Sequence, residues 1–143
     1  MPKNRAEEIV YRFFRRSFLS LWSYANPRGK NSGKELCDTL VVCDPNVVIV
    51  SVKACDLAKT GDAETNGARW RKRTIDESLK QIYGAERWVR TAPQVIRSDG
   101  SPGLPLPSPR RIHRVAVAAG GRRQTPIESR DFGKAALINK GSK

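Results

Sequence analysis

An α/β sandwich, with two helices flanking a small mixed sheet, follows from three features of the 143-residue sequence. Two segments carry apolar residues at helical spacing. Two adjacent runs rich in β-branched residues surround a short turn. A further apolar run follows a proline-rich stretch. The element order is helix, strand, strand, strand, helix, irregular segment, strand.

The first helix is expected over residues 5–17, where Ile9, Val10, Phe13 and Phe14 recur at helical spacing and Asn4 with Glu7 resembles an N-cap pair. Leu19 and Leu21 alternate with Ser20 and Ser23, which predicts a strand ending near Tyr24. Residues 26–34 are a basic loop by composition. Residues 35–43 and 47–54 then form a hairpin about Asp44, Pro45 and Asn46; both runs are almost continuously apolar, as in strands covered on both faces. Residues 56–68 are polar and aperiodic and read as a loop. A second helix is expected over 69–90, with Ile75, Leu79, Ile82 and Val89 on one stripe and an alternative start at the Thr74/Glu77 capping box. Residues 98–109 hold four prolines and two glycines and read as irregular, and 112–119 as a last strand. Residues 1–120 thus read as one α/β domain and 121–143 as a weakly ordered basic tail.

The chain carries 27 Lys and Arg against 14 Asp and Glu, a net charge of +13, and an excess of that size favours polyanionic partners. Its distribution is uneven. Residues 35–69 carry three bases and six acids inside an otherwise basic chain, the layout of a cation-dependent phosphodiesterase, where carboxylates hold a cation and bases hold phosphates. Nothing approaches an apolar run of about 18 residues, which argues against a membrane span. Charged Glu7 and Glu8 follow the N-terminus where a signal peptide would be apolar, which favours the cytoplasm. Cys37, Cys43 and Cys55 fit no zinc or redox spacing and read as buried free thiols.

Asp38 is a carboxylate inside an apolar strand, where an unpaired charge costs several kcal/mol, and Lys53 is its counterpart on the partner strand. With a two-residue loop at Pro45-Asn46, or a four-residue loop from Asp44 to Val47, Asp38 falls opposite Lys53 and Ser51 opposite Leu40, all on one face.

Asp38, the run Val47-Val48-Ile49-Val50-Ser51-Val52-Lys53 and the element order resemble the PD-(D/E)XK nuclease superfamily, to which restriction endonucleases and Holliday-junction resolvases belong. More narrowly, the segments 18–24, 34–38 and 84–89 resemble a group of uncharacterised bacterial proteins, and the resemblance covers about residues 7–120. It implies a restriction endonuclease-like α-β-β-β-α-β core that hydrolyses nucleic acid, DNA in the first instance, with Mg²⁺ or Mn²⁺. It also implies action as a homodimer. By this likeness Asp38 binds the metal, helped by Glu35 or by Glu8 or Glu7 of the first helix, and Lys53 steadies the attacking water with Ser51 as a minor contact. Gln81 or Lys80 stands where some relatives use a glutamine. Arg28, Lys30 and Lys34 of the basic loop, with Arg71, Lys72 and Arg73, would grip the phosphate backbone.

The sequence departs from the pattern where it matters most. Ser51 replaces the second acid of the motif, Cys37 replaces the proline before Asp38, and strict alternation puts Glu35 on the other face unless the strand bulges. A catalytically degenerate nuclease fold that only binds nucleic acid is therefore a second expectation, and a ribonucleoprotein accessory protein a third. Structural readings stand beside the functional ones: Asp38 and Lys53 as a cross-strand ion pair, Glu8 as a helix-surface acid, and Trp70, Trp88 and Tyr83 as core residues. His113 is too isolated for a nucleophile–base pair and marks the start of the last strand.

Overall fold

A computed structural model describes residues 2–18, 21–29, 33–56 and 61–120, together with the backbone of a strand at 135–140. It is a mixed α/β fold. The chain runs α1 (Arg5–Phe18), β1 (Ser23–Ala25), β2 (Thr39–Cys43), β3 (Asn46–Ala54), α2 (Ala63–Arg71), a π-helical turn (Lys72–Asp76), α3 (Glu77–Val89), β4 (Gln94–Ile96), β5 (Pro102–Pro105), β6 (Arg111–Ala119) and β7 (Ala135–Lys140). A five-stranded sheet has the order β1-β2-β3-β6-β7, and β4 with β5 forms a separate two-stranded ribbon. The pairs β1–β2 and β2–β3 are antiparallel, whereas β3–β6 and β6–β7 are parallel. The helical segment between β3 and β6 is the crossover that a parallel pair requires.

Side-chain alternation sends the two strand faces to different helices. Leu40, Val42, Val47, Ile49 and Ala116 pack with Ile82, Ala85 and Val89 of α3. Val41, Val50, Val52 and Val117 pack with Phe14, and with partly buried Val10 and Phe18, of α1. Each fully buried aliphatic side chain of this kind contributes about 1.5–3 kcal/mol. A third cluster joins Trp70 and Ile75 to Ala118, which sets the π-helical turn over the C-terminal ends of β3 and β6. Both hairpin strands are thus central and covered, as their continuous apolar runs predict.

Several expectations need correction. Residues 35–38 do not belong to β2: Glu35 makes an isolated bridge with Arg28, and regular pairing starts at Thr39. The supposed loop 56–68 contains the first turns of α2, capped by Asp62, whose carboxylate accepts from the Thr65 amide at 2.8 Å. Thr74 caps nothing; its hydroxyl donates to the Trp70 carbonyl at 2.8 Å inside the continuous helical segment. Within 98–109, Pro102–Pro105 forms β5, since edge strands tolerate proline. The strand expected over 19–24 begins at Ser23, and Leu19 and Ser20 lie outside the described residues. The tail is not without structure either: β7 pairs with β6 from Arg114↔Ala135 to Ala119↔Lys140, while 121–134 lie outside the described residues. Cys37 is buried, but Cys43 and Cys55 are only partly so, and all three are free thiols. Trp70 is core and Trp88 packs at the core's edge, yet Tyr83 is exposed beneath the Arg114 guanidinium. Among the described residues no helix is long and apolar enough to cross a membrane.

One polar network fastens α3 to the sheet. Buried Glu86 accepts from Arg114 Nε at 2.6 Å and Nη2 at 2.8 Å, and from Arg90 Nη2 at 2.7 Å. Hydrogen bonds from Arg114, with burial opposing them, hold the Glu86 carboxyl below the usual carboxylate range. Stability from this group is therefore present above the ordinary glutamate pKa and lost as pH falls through the lowered one. Glu86→Ala is expected to cost about 1–2 kcal/mol in urea unfolding at neutral pH, less than a fully buried pair because Arg90 stands in solvent. That cost should shrink toward zero in acid.

Candidate functional site

The β2–β3 hairpin turns through Asp44 and Pro45, with Cys43 opposite Asn46 and Thr39 opposite Val50. Leu40 therefore faces Ile49 rather than Ser51, and Asp38 comes beside Ser51 rather than opposite Lys53. Asn46, expected in the turn, joins β3 instead, which slides the pairing by two residues. A slip of two preserves the face, so Ser51 and Lys53 still alternate with Ile49 onto the α3 side.

Asp38 sits where the ladder becomes irregular. Its amide donates to the Val50 carbonyl at 3.1 Å, and its carboxylate Oδ2, rather than a main-chain carbonyl, accepts from the Val52 amide at 2.6 Å. The side chain thereby takes over a backbone acceptor's role and is locked in the sheet, only 6% exposed. Burial pushes its pKa up to about 6; Glu7 and Glu35 add to the rise, while the Val52 amide and Lys53 hold it down. Glu35 reaches Asp38 because residues 35–38 are irregular rather than alternating. The Lys3 ammonium pairs with Glu35 and feels the charges of Glu7 and Asp38. Glu7, buried at the start of α1, accepts from the Lys3 amide at 2.7 Å. The helix acid beside Asp38 is thus Glu7. Glu8 is turned to solvent and pairs with Arg12 at 2.6 Å.

Ser51, fully buried, donates its hydroxyl to Gln81 Oε1 at 2.6 Å, which ties the second motif position to α3. Lys53, half-buried, lies two residues further along the strand, level with Ala118 of β6. These side chains gather toward the C-terminal ends of the parallel strands, where ligands of open α/β sheets bind.

Asn26, overlooked in the sequence as part of a loop, is the other notable residue. Its amide donates to the Asp38 carbonyl at 3.0 Å, in line with the β1–β2 pairing of Ala25 with Thr39. It holds φ at 47°, and both atoms of its buried carboxamide lack hydrogen-bond partners. A buried unpartnered amide costs about 1–3 kcal/mol and calls for a reason. Asn–Pro at the end of a short strand was the available signal. Asn26→Gly is expected to raise stability by about 1 kcal/mol in thermal unfolding, since it removes the orphaned amide and suits the left-handed backbone.

The basic residues divide. Arg71 ends α2, and Lys72 and Arg73 open the π-helical turn that follows, between Trp70 and Ile75 and over the strand ends that carry Lys53; such turns are often found at functional sites. Arg28 is the bridge partner of Glu35 and Lys34 immediately precedes Glu35; Lys30 lies outside the described residues. Among the described residues no group of three or more His, Cys, Asp and Glu side chains is placed to hold a metal ion. Compared with models of protein families, with curated proteins and with solved structures, the chain matches none of them.

Proposed function

We propose that the chain is a cation-dependent phosphodiesterase acting on nucleic acid, with its site at Asp38 and Lys53, in a restriction endonuclease-like core. The observation that carries this reading is Asp38: a carboxylate kept buried, with its pKa raised, beside an ammonium and a second carboxylate. Such a group weakens the fold when ionised, and groups held at that cost cluster at functional sites. The α-β-β-β-α-β order, with β3 parallel to β6, supports the core assignment.

Mg²⁺ is typically held by one or two protein carboxylates, with phosphate oxygens and waters completing its shell. Asp38 and Glu35 fit that open arrangement and not a closed protein cage, and Lys3 would have to leave Glu35 for a cation to enter. A divalent ion held there would polarise the phosphate and acidify a bound water. Lys53 steadies the attacking water and the charge that develops on the phosphoryl oxygens. Gln81 fixes Ser51, and through it the strand that carries Lys53. Arg71, Lys72 and Arg73 hold the flanking phosphates, which supplies affinity without sequence preference.

A second reading, a nuclease fold that binds without cutting, is favoured by Ser51, whose hydroxyl is committed to Gln81 where the motif has an acid. The two are separated by conversion of supercoiled plasmid in Mg²⁺, Mn²⁺ or EDTA. Cation-dependent nicking supports hydrolysis, and retained binding with no nicking under any cation supports the binding-only fold. Ser51→Asp is expected to tighten Mn²⁺ binding about tenfold by calorimetry, because it places a second strand carboxylate beside Asp38. Unchanged Mn²⁺ affinity would count against this location for the cation.

A further inference from the structure

At the other end of the sheet, three arginines share a pocket with one acid, and two of them bond it. Glu86, Arg90, Arg110, Ile112 and Arg114 line a pocket of about 440 Å³. The Glu86 carboxylate is consumed from within, by Arg114 at 2.6 and 2.8 Å and by Arg90 at 2.7 Å. Arg110 Nη1 donates to the Ala92 carbonyl at 2.8 Å and to the Val89 carbonyl, and so closes the C-terminus of α3. The Arg114 guanidinium also lies 5.3 Å from the Tyr83 ring centre. Each guanidinium is therefore braced, by a carboxylate, main-chain carbonyls or an aromatic face, and each retains donors beyond those bonds. Three cations against one carboxylate leave the pocket net positive.

Braced planar forks suit a tetrahedral oxyanion, because little side-chain freedom remains to be lost when it binds. The Arg111 amide bonds the Pro45 carbonyl, so the pocket lies at the hairpin-turn end of the sheet. Arg111 and Ala118, the strand partner of Lys53, are seven residues apart on β6, about 23 Å at strand rise. We propose that the Glu86-braced arginine pocket is a phosphate-binding site separate from the Asp38–Lys53 site, taking either a phosphodiester of a nucleic-acid backbone or a free phosphate. It requires no hydrolytic activity.

The test uses the full chain in EDTA, so that cleavage plays no part. Inorganic phosphate is titrated against chloride at equal ionic strength while arginine Nε–H resonances are followed, and a labelled short duplex is titrated by anisotropy. Arg90 is 65% exposed, so Arg90→Glu is expected to fold, which its thermal unfolding checks. Phosphate should shift the Arg110 and Arg114 signals in the wild type, and Arg90→Glu should weaken that binding about tenfold. Duplex affinity should fall with it, and its salt slope should become shallower by about one. Phosphate binding lost in Arg90→Glu with duplex affinity unchanged supports the pocket and assigns it to free phosphate. No phosphate-dependent shift, together with unchanged duplex binding by a folded Arg90→Glu, overturns the proposal, whatever the hairpin site does.

Discussion

Lys53→Ala is expected to lower cation-dependent nicking of plasmid at least about 100-fold while leaving duplex affinity in EDTA within a factor of about two. The asymmetry follows from where the residue sits. Lys53 is one half-buried ammonium near the end of β3, beside Asp38, whereas the proposed contacts to the nucleic-acid backbone are spread over Arg71–Arg73 and other bases. A group that acts on charge developing in the transition state costs rate when removed, and not ground-state binding. Because the side chain is half-buried and ends a strand, truncation should leave the fold intact, and unfolding of the variant checks that. An equal fall in binding and cleavage would make Lys53 a phosphate contact only.

Asp38→Asn should do the reverse of an ordinary buried substitution: it should abolish activity and stabilise the protein. The asparagine side-chain oxygen can still accept from the Val52 amide, so the ladder is kept, while the buried charge is gone. With the carboxyl at about 6 in the fold against 3.8 unfolded, ionisation costs the native state about 2–3 kcal/mol. The sign follows from linkage. Below the unfolded value both states are protonated and Asp38 adds no penalty; stability then falls as pH rises through about 6 and is flat beyond. The gain from Asp38→Asn should therefore be absent near pH 3.5, grow through pH 6 and hold at pH 8. A variant less stable than wild type at pH 8 would mean that the charge is fully compensated by Lys53, and that Asp38 is a structural ion-pair partner.

The elements most readable in the sequence were those whose burial is continuous. β2 and β3 are covered on both faces, so their β-branched runs announce them, and the stripe from Ile75 through Val89 announces α3. What failed did so for particular physical reasons. The two- and four-residue loops expected for the hairpin both set Asp38 opposite Lys53, but the turn falls at Asp44-Pro45, because composition does not show which polar residues of Asp44-Pro45-Asn46 leave the strands; the structure therefore puts Asp38 beside Ser51. α2 begins with Asp62 and Thr65 in a capping contact, but its polar surface and Gly67 masked the helical period. β5 was hidden by its prolines, and β7 by the basic, glycine-rich sequence before it.

The site was legible as residue types and less so as geometry. Asp38, Ser51 and Lys53 stand out in sequence because they interrupt apolar runs, whereas Gln81 or Lys80 was suggested only by the family resemblance; the structure joins Ser51 to Gln81 directly. The choice between Glu7 and Glu8 depends on how α1 is rotated against the sheet, and Phe14, buried two helical turns on from Glu7 and on the same face, sets that rotation. Asn26 could not be singled out at all, since its unusual backbone and its missing partners exist only in the folded chain.

The most direct test of a hydrolytic site at Asp38 is the single-turnover nicking rate in Mg²⁺ or Mn²⁺, measured between pH 5 and pH 8 for wild type and Asp38→Asn. The wild-type rate should rise with pH through about 6 as the carboxylate ionises, and Asp38→Asn should be at least about 100-fold slower at pH 8 with no such rise. A folded Asp38→Asn that nicks at the wild-type rate with the wild-type pH profile would contradict the account, and would place any hydrolysis elsewhere in the chain.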